Sequence, residues 1–274
     1  MPLSTEDITN KKRMVNMNNK LKQKLDAGQQ PIGIFFDTAS EYLMECTGRC
    51  GLDFVIIDNE HSPIEAETSA RLIRAAENAG VTPLCRVREI SRPAILKLLD
   101  VGAQGLIIPN VHTVEQVKEI ISYARYYPIG QRGFCPSRKD GWGFDGLGNV
   151  AETMTHFNGQ TLIYPQCETV GALESIEDIV ALDGIDGIFV GPFDLSISMG
   201  IPGDFSNPVF KQAIERIINA CRKAGKKSIL FTGTVEGIAD GFKQGFDGMA
   251  YSLDAAIFID ALRERVAKAR ELSK

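Results

Sequence analysis

Glu168 and Asp194 are the residues of this chain best suited to hold a metal ion. Each follows a short apolar run, and the two runs are consecutive. Two hard carboxylates completed by waters suit Mg²⁺, Mn²⁺ or a similar divalent ion and leave positions open for a substrate. Either acid alone reads equally well as a helix N-cap, because each precedes a helical run. Gln166, beside Glu168, favours the metal reading. His61 follows another apolar run in the stretch Asp58-Asn59-Glu60-His61. Its imidazole can take or give a proton near neutral pH, directly or through a water, with Asp58 or Asp100 as a carboxylate that fixes its tautomer. Arg86 ends an apolar run, a costly place for a charge unless an anion meets it. It can clamp a developing oxyanion or enolate, or close a buried ion pair. In the stretch from Gly191 through Phe193 to Ser196, backbone N–H groups at a helix start can receive a carboxylate.

These residues need a scaffold that brings several loops to one place. Short β-rich runs alternate with helical runs along the whole chain, beginning with Ile32–Asp37, Phe54–Asp58, Thr82–Val87 and Gly105–Ile108. They continue through Leu162–Gln166, Gly187–Val190, Lys227–Phe231 and Gly248–Ala250. The runs are apolar rather than alternating, as strands covered on both faces are. Eight βα units in this length imply an α/β fold, a closed (β/α)₈ TIM barrel spanning residues 1–274 as one domain. An additional N-terminal helix lies within residues 1–28. An open doubly wound sheet would want a Gly-rich phosphate loop after its first strand, and FFDTASEY is not one. In such a barrel the active site sits at the C-terminal strand ends, where the candidate residues other than Asp100 fall. The Gly- and Arg-rich segment 131–159 is read as an active-site rim, a subunit contact or a solvated insertion.

Composition narrows the partners. The 274 residues carry a net charge of −5, which argues against nucleic acid or anionic lipid as the main partner. No apolar run approaches the ~20 residues a membrane span needs. No stretch of the signal-peptide kind opens the chain, so a cytoplasmic location is expected. Its six cysteines are read as free thiols. Cys46 and Cys50 have no second Cys/His pair at zinc spacing.

The stretches FVIIDNEHSP, CRV, LLDVGAQGLIIPNV, ARYYPIGQRG, PQCET and GIDGIFVGPFDLSISMG occur in an order and spacing that resemble the 4-hydroxy-2-oxoheptanedioate and 2-keto-3-deoxy sugar-acid aldolases. The likeness runs from about Gly33 to Asp254. It implies a barrel that uses Mg²⁺, Mn²⁺ or Co²⁺ to bind pyruvate, with Glu168 and Asp194 as metal ligands. It implies that His61 is the acid/base, that Arg86 stabilises the pyruvate enolate, and that Asp58 and Asp100 support the histidine. Gln166, Gly191, Phe193 and Arg86 are then substrate-binding. A homo-oligomer, a hexamer in that family, is implied as well. The chain departs from the pattern at Phe193, where a small residue is common, and at Cys167, where an aliphatic residue is usual. Its FCPSRKDGWGFDG loop matches only in part.

The expected reaction is a class II retro-aldol cleavage of a 4-hydroxy-2-oxo acid to pyruvate and an aldehyde. A Schiff-base aldolase needs a lysine on a strand, and Lys227 stands at the wrong end of its run. Two further alternatives are an acyl-CoA lyase resembling the citrate-lyase β-subunit and a non-catalytic binding relative.

Overall fold

The computed structural model describes residues 18–144 and 149–274. Eight parallel strands close into a barrel in chain order. They are β1 Ile32–Phe36, β2 Phe54–Asp58, β3 Thr82–Arg86, β4 Gly105–Ile108, β5 Leu162–Cys167, β6 Gly187–Val190, β7 Lys227–Thr232 and β8 Gly248–Leu253. Every residue of β2 through β6 is buried. Alternation explains the unbroken apolar runs, because both strand faces meet protein. Phe35, Phe54, Ile56, Leu84, Tyr164, Phe189 and Ile229 fill the barrel interior. Ile34, Val55, Ile57, Leu106, Ile163 and Ile188 pack outward under the helices.

The helices are α1 Lys20–Asp26, α2 Glu41–Thr47, α3 Ala66–Ala79, α4 Arg92–Asp100, α5 Val114–Ala124, α6 Val150–Gln160, α7 Val170–Glu174, α8 Ile176–Val180, α9 Pro192–Ser198, α10 Pro208–Lys223, α11 Val235–Gln244 and α12 Asp254–Leu272. Ser40, Ser91, Thr113, Thr169 and Thr234 each cap a helix start by accepting a backbone N–H. Gly80 and Gly245 end α3 and α11 at φ 82° and 105°, a left-handed turn that a side chain disfavours.

The N-terminal helix is realised as α1, and the rest of that expectation, residues 1–17, lies outside the described residues. The helix closes the N-terminal end of the barrel. Leu21 and Leu25 enter the interior cluster. Asn19 caps the helix and donates its amide to Gln104 O and Gln160 O at 2.8 and 2.9 Å.

Three local expectations are corrected. The run expected as one helix from Val170 to Ala181 is two, because Ser175 at φ −102° and ψ 14° breaks the helical path. Strand β8 extends past Ala250 to Leu253, joined to β1 across a register shift between Gly33 and Phe35. The described part of segment 131–159 packs away from the mouth. Arg132 pairs with Asp100 and Arg138 with Glu77, both near the returning ends of α4 and α3. Among the described residues no helix is long and apolar enough to cross a membrane. Helix α12 buries none of its side chains.

Candidate active site

Strand β2 ends in Asp58, and β3 carries Arg86 directly beside it in register. The two form a bidentate pair, with Arg86 Nε donating to Oδ1 at 2.9 Å and Nη2 to Oδ2 at 2.6 Å. Both are buried, at 1% and 8% exposure. Burial pushes the Asp58 carboxyl up, but the hydrogen bonds and charge of Arg86 outweigh it and hold it below its ordinary value. Glu60 offers a second carboxylate, 3.3 Å from Arg86 Nη1. Arg86 also stands over the Phe35 ring, 4.7 Å from its centroid. The guanidinium is thereby held in one orientation.

Strand β5 delivers Gln166 and, just past its end, Glu168. Glu168 is 7% exposed. Its Oε1 accepts the backbone N–H of Asn110 at 2.6 Å, and its Oε2 accepts the Gln166 amide. Asn110 adopts φ 55°, an uncommon conformation for a residue with a side chain, in the loop that aims its N–H at Glu168. Burial pushes the Glu168 carboxyl up to about 7, against the Asn110 hydrogen bond and with help from the charges of Glu60 and Asp194. The other Gln166 amide atom, Oε1, is buried with no partner.

Strand β6 leads through Gly191 into α9, whose first turn holds Asp194. A Cβ at Gly191 would lie 2.8 Å from Glu168 Oε2 and 2.9 Å from Gln166 Nε2. The absent side chain leaves that room to Glu168 and Gln166. Glu60, His61, Asn110, Glu168 and Asp194 line a cavity of about 450 Å³. His61, Arg86, Gln166, Gly191, Phe193 and Asp194 line an adjoining pocket of about 140 Å³. Among the described residues neither space is lined by a lysine, and Lys227 pairs with Asp247 at the strand start. A Schiff base has no amine here.

The tertiary structure thus gathers His61, Arg86, Gln166, Glu168, Gly191, Phe193 and Asp194 at one mouth, with Asp58 behind Arg86. It does not bring Asp100 there. Asp100 ends α4 at the far end of the barrel, where it pairs with Arg132 at 2.7 Å and stands 3.9 Å from Lys139. The carboxylate beside His61 is Glu60, at 3.7 Å from Nε2, rather than Asp58 or Asp100. Asp58 is taken by Arg86, because a buried guanidinium in register outcompetes an exposed imidazole. Glu60 and Asn110 are site residues that the sequence expectations do not include. Glu60 adjoins His61 in the chain, a signal that was available. Asn110 acts through its backbone, which no side-chain motif displays.

A hard-oxygen cation fits this mouth. Glu168 and Asp194 are carboxylates facing one cavity, burial and then the charges of Glu60 and Asp194 leave Glu168 under-compensated, and the missing side chain at Gly191 gives Glu168 and Gln166 their room beside the backbone. Among the described residues no three His, Cys, Asp or Glu side chains form a ready metal cluster. The pair would therefore leave most of the coordination shell to substrate and water.

Residues 31–261 match the family HpcH/HpaI aldolase/citrate lyase. The chain belongs to this family. Within it, the chain is 32% identical to the 2-keto-3-deoxy-L-rhamnonate aldolase of Escherichia coli K12 over 92% of its own length and 93% of the relative's. The solved HpcH/HpaI aldolase of Desulfitobacterium hafniense superposes with a TM-score of 0.85 at 29% identity, covering 93% of this chain and 98% of that one. Citrate synthase SbnG superposes at 0.84 with 31% identity, covering 93% and 99%. The HpcH/HpaI chain is a carbon–carbon lyase of the aldolase type.

Proposed function

We propose that this HpcH/HpaI aldolase cleaves a 4-hydroxy-2-oxo acid, of the 2-keto-3-deoxy sugar-acid or 4-hydroxy-2-oxoheptanedioate type, to pyruvate and an aldehyde, and runs the reverse addition. The observation that carries the proposal is the convergence of Glu168, Asp194, Gln166, Arg86 and His61 on two adjoining pockets at the strand ends. Glu168 and Asp194 would hold a divalent cation, Mg²⁺, Mn²⁺ or Co²⁺, which supplies Lewis-acid polarisation of the 2-oxo group. Gln166 and the backbone around Gly191 and Phe193 orient the oxo acid and its carboxylate. Arg86 faces the oxygen that gains charge when the C3–C4 bond breaks, and Asp58 keeps it aimed there. Such preorganised donors act mainly on the transition state. His61, through a water, removes the proton of the 4-hydroxyl as the C3–C4 bond breaks and delivers it to C3 of the enolate to give pyruvate; in the addition it takes the C3 proton and returns it to the new 4-hydroxyl. Glu60, beside both His61 and Arg86, stabilises the charged imidazole.

Similarity to citrate synthase SbnG supports a second reading, in which the same mouth joins an enolate to an oxo acid instead of an aldehyde. Both readings place the protein in the cytoplasm, a location supported by six free thiols. Both also make it a homo-oligomer, supported by the exposed apolar side chains of α12.

The deciding measurement is exchange of the pyruvate C3 protons in D₂O, followed by NMR on metal-stripped protein and after Mn²⁺, Mg²⁺ or Co²⁺ is restored. Metal-dependent exchange is expected. It should fall by about 10²–10³-fold in Arg86→Ala, the usual cost of a lost oxyanion donor, and vanish in Glu168→Ala. Exchange that survives complete metal removal sinks the mechanism. If exchange is present, a screen of aldehydes against oxo acids separates the two readings.

A further inference from the structure

The mouth has two unlike walls. On one side the 450 Å³ cavity is rich in charge, with Glu60, Arg88, Glu89, Glu168 and Asp194 in its lining. On the other side a run of aromatic rings leads away from Arg86. Phe35, under the guanidinium, meets Phe231 edge-on with centroids 5.6 Å apart. Phe231 meets Phe193 at 6.3 Å, Phe193 meets Phe205 at 5.1 Å, and Phe205 meets Phe210 at 5.3 Å. The two ends of the run, Phe35 and Phe210, are buried in the core, and the middle of it is open to solvent. Phe193 is 50% and Phe205 38% exposed.

The run continues into a groove of about 780 Å³ lined by side chains of α10, α11 and β7. Phe193, Phe205, Phe210, Ile214, Leu230 and Phe231 form the larger, apolar part of its lining, and Lys211, Glu215, Arg222 and Asp240 supply charged groups of both signs beside them. Phe193 and Phe231 also line the 140 Å³ pocket that holds Arg86 and Gln166. Reacting pocket and groove share Pro192, Phe193 and Phe231 as a common wall, and Phe193 directly precedes Asp194 in the chain.

We propose that the groove is the subsite for the aldehyde's substituent, and that this substituent is an apolar alkyl or aryl chain. The proposal rests on the retro-aldol reading but departs from its sugar-acid and heptanedioate substrate types, whose substituents are polar. The small inner pocket has little room beyond the oxo acid, so the rest of the substrate must leave it along one wall. An alkyl or aryl chain on the aromatic wall removes exposed ring surface from water and gains ring contacts. A polyhydroxylated chain laid on the rings of Phe193, Phe205 and Phe231 would give up water hydrogen bonds to phenylalanines that return none. The opposite wall, crowded with carboxylates, would stay hydrated against an apolar chain. A sugar acid of the kind that names the Escherichia coli relative is thus the poorer match.

The test measures initial rates of aldol addition by Mn²⁺-loaded full-length protein, with pyruvate and hexanal, phenylacetaldehyde or glyceraldehyde as acceptor. We expect kcat/KM for hexanal and phenylacetaldehyde to exceed that for glyceraldehyde by about tenfold or more, the scale of discrimination an apolar pocket provides. Phe205→Ser should erase most of this preference, chiefly through KM. It should leave pyruvate C3 exchange and glyceraldehyde addition unchanged, because Phe205 lies outside the reacting pocket. Phe205→Leu should restore the preference, and exchange in each variant shows that the barrel has folded. Normal exchange with equal kcat/KM for the three acceptors, or with a preference that Phe205→Ser does not touch, overturns the subsite alone. Absence of exchange in the wild type overturns the aldolase reading and the subsite with it.

Discussion

Arg86 joins stability to function at the scale of single residues. Its bond to Asp58 is buried on both sides, so deleting one partner strands the other. Asp58→Ala should cost about 3 kcal/mol, the low end for a broken buried pair, because Glu60 remains near the guanidinium. Urea unfolding of the variant checks this. Asp37, at the end of β1, behaves in the opposite way. Burial first, then the charges of Asp58 and Asp254, raise its carboxyl from the ordinary 3.8 to about 6. A raised carboxyl holds its proton more tightly in the folded chain. Its contribution to stability is full below about pH 4 and is lost as pH rises through about 6. Asp37→Asn should therefore match the wild type most closely at pH 4 and become relatively more stable by pH 7. Melting temperatures across that range read this directly, and an advantage that shrinks with rising pH would contradict it. The chemistry-bearing side chains were legible in the sequence, since an arginine or an acid after an apolar run is costly without a partner. Which acid serves which base was not legible. That depends on strand register, which set Asp58 opposite Arg86 and left Glu60 for His61.

At the scale of elements, α1 and the strand ends govern the barrel's two mouths. The interior core continues from Phe54 and Leu84 into Leu21 and Leu25, so α1 is part of the packed barrel. Leu21 is 0% exposed, and Leu21→Ala should destabilise the protein by about 2–5 kcal/mol through lost transfer energy and a residual cavity. Pyruvate exchange measured below the melting temperature should persist, because the helix closes the end away from the site. Helix periodicity and capping residues made most of the helices readable, but α6 lies almost wholly within the segment 131–159 read as a loop, and the Ser175 break and the extension of β8 follow from local dihedral choices and cross-strand pairing.

The whole molecule leaves one element without a place. Helix α12 carries Phe258, Ile259, Leu262 and Val266 at roughly half exposure and buries no side chain. An amphipathic helix ordinarily hides one face, and the proposal that the protein is a homo-oligomer supplies a second copy of the chain to cover this one. Light scattering after size exclusion should give a mass that is a multiple of the chain's. Replacing Phe258 and Leu262 with Ser should lower that multiple, and a wild-type monomer would defeat the proposal.

The sequence by itself determined the barrel and most of the polar side chains that gather at its mouth, because apolar runs of fixed period and charged residues at their ends are local signals. Only the tertiary structure decided the pairings. It closed β8 onto β1, carried Asp100 to the far end of α4, turned the Asn110 N–H onto Glu168 and laid the phenylalanine run along one wall of the mouth. Each of these depends on residues distant in the chain meeting in space, and the spacing of residue types along one strand or helix does not encode such meetings.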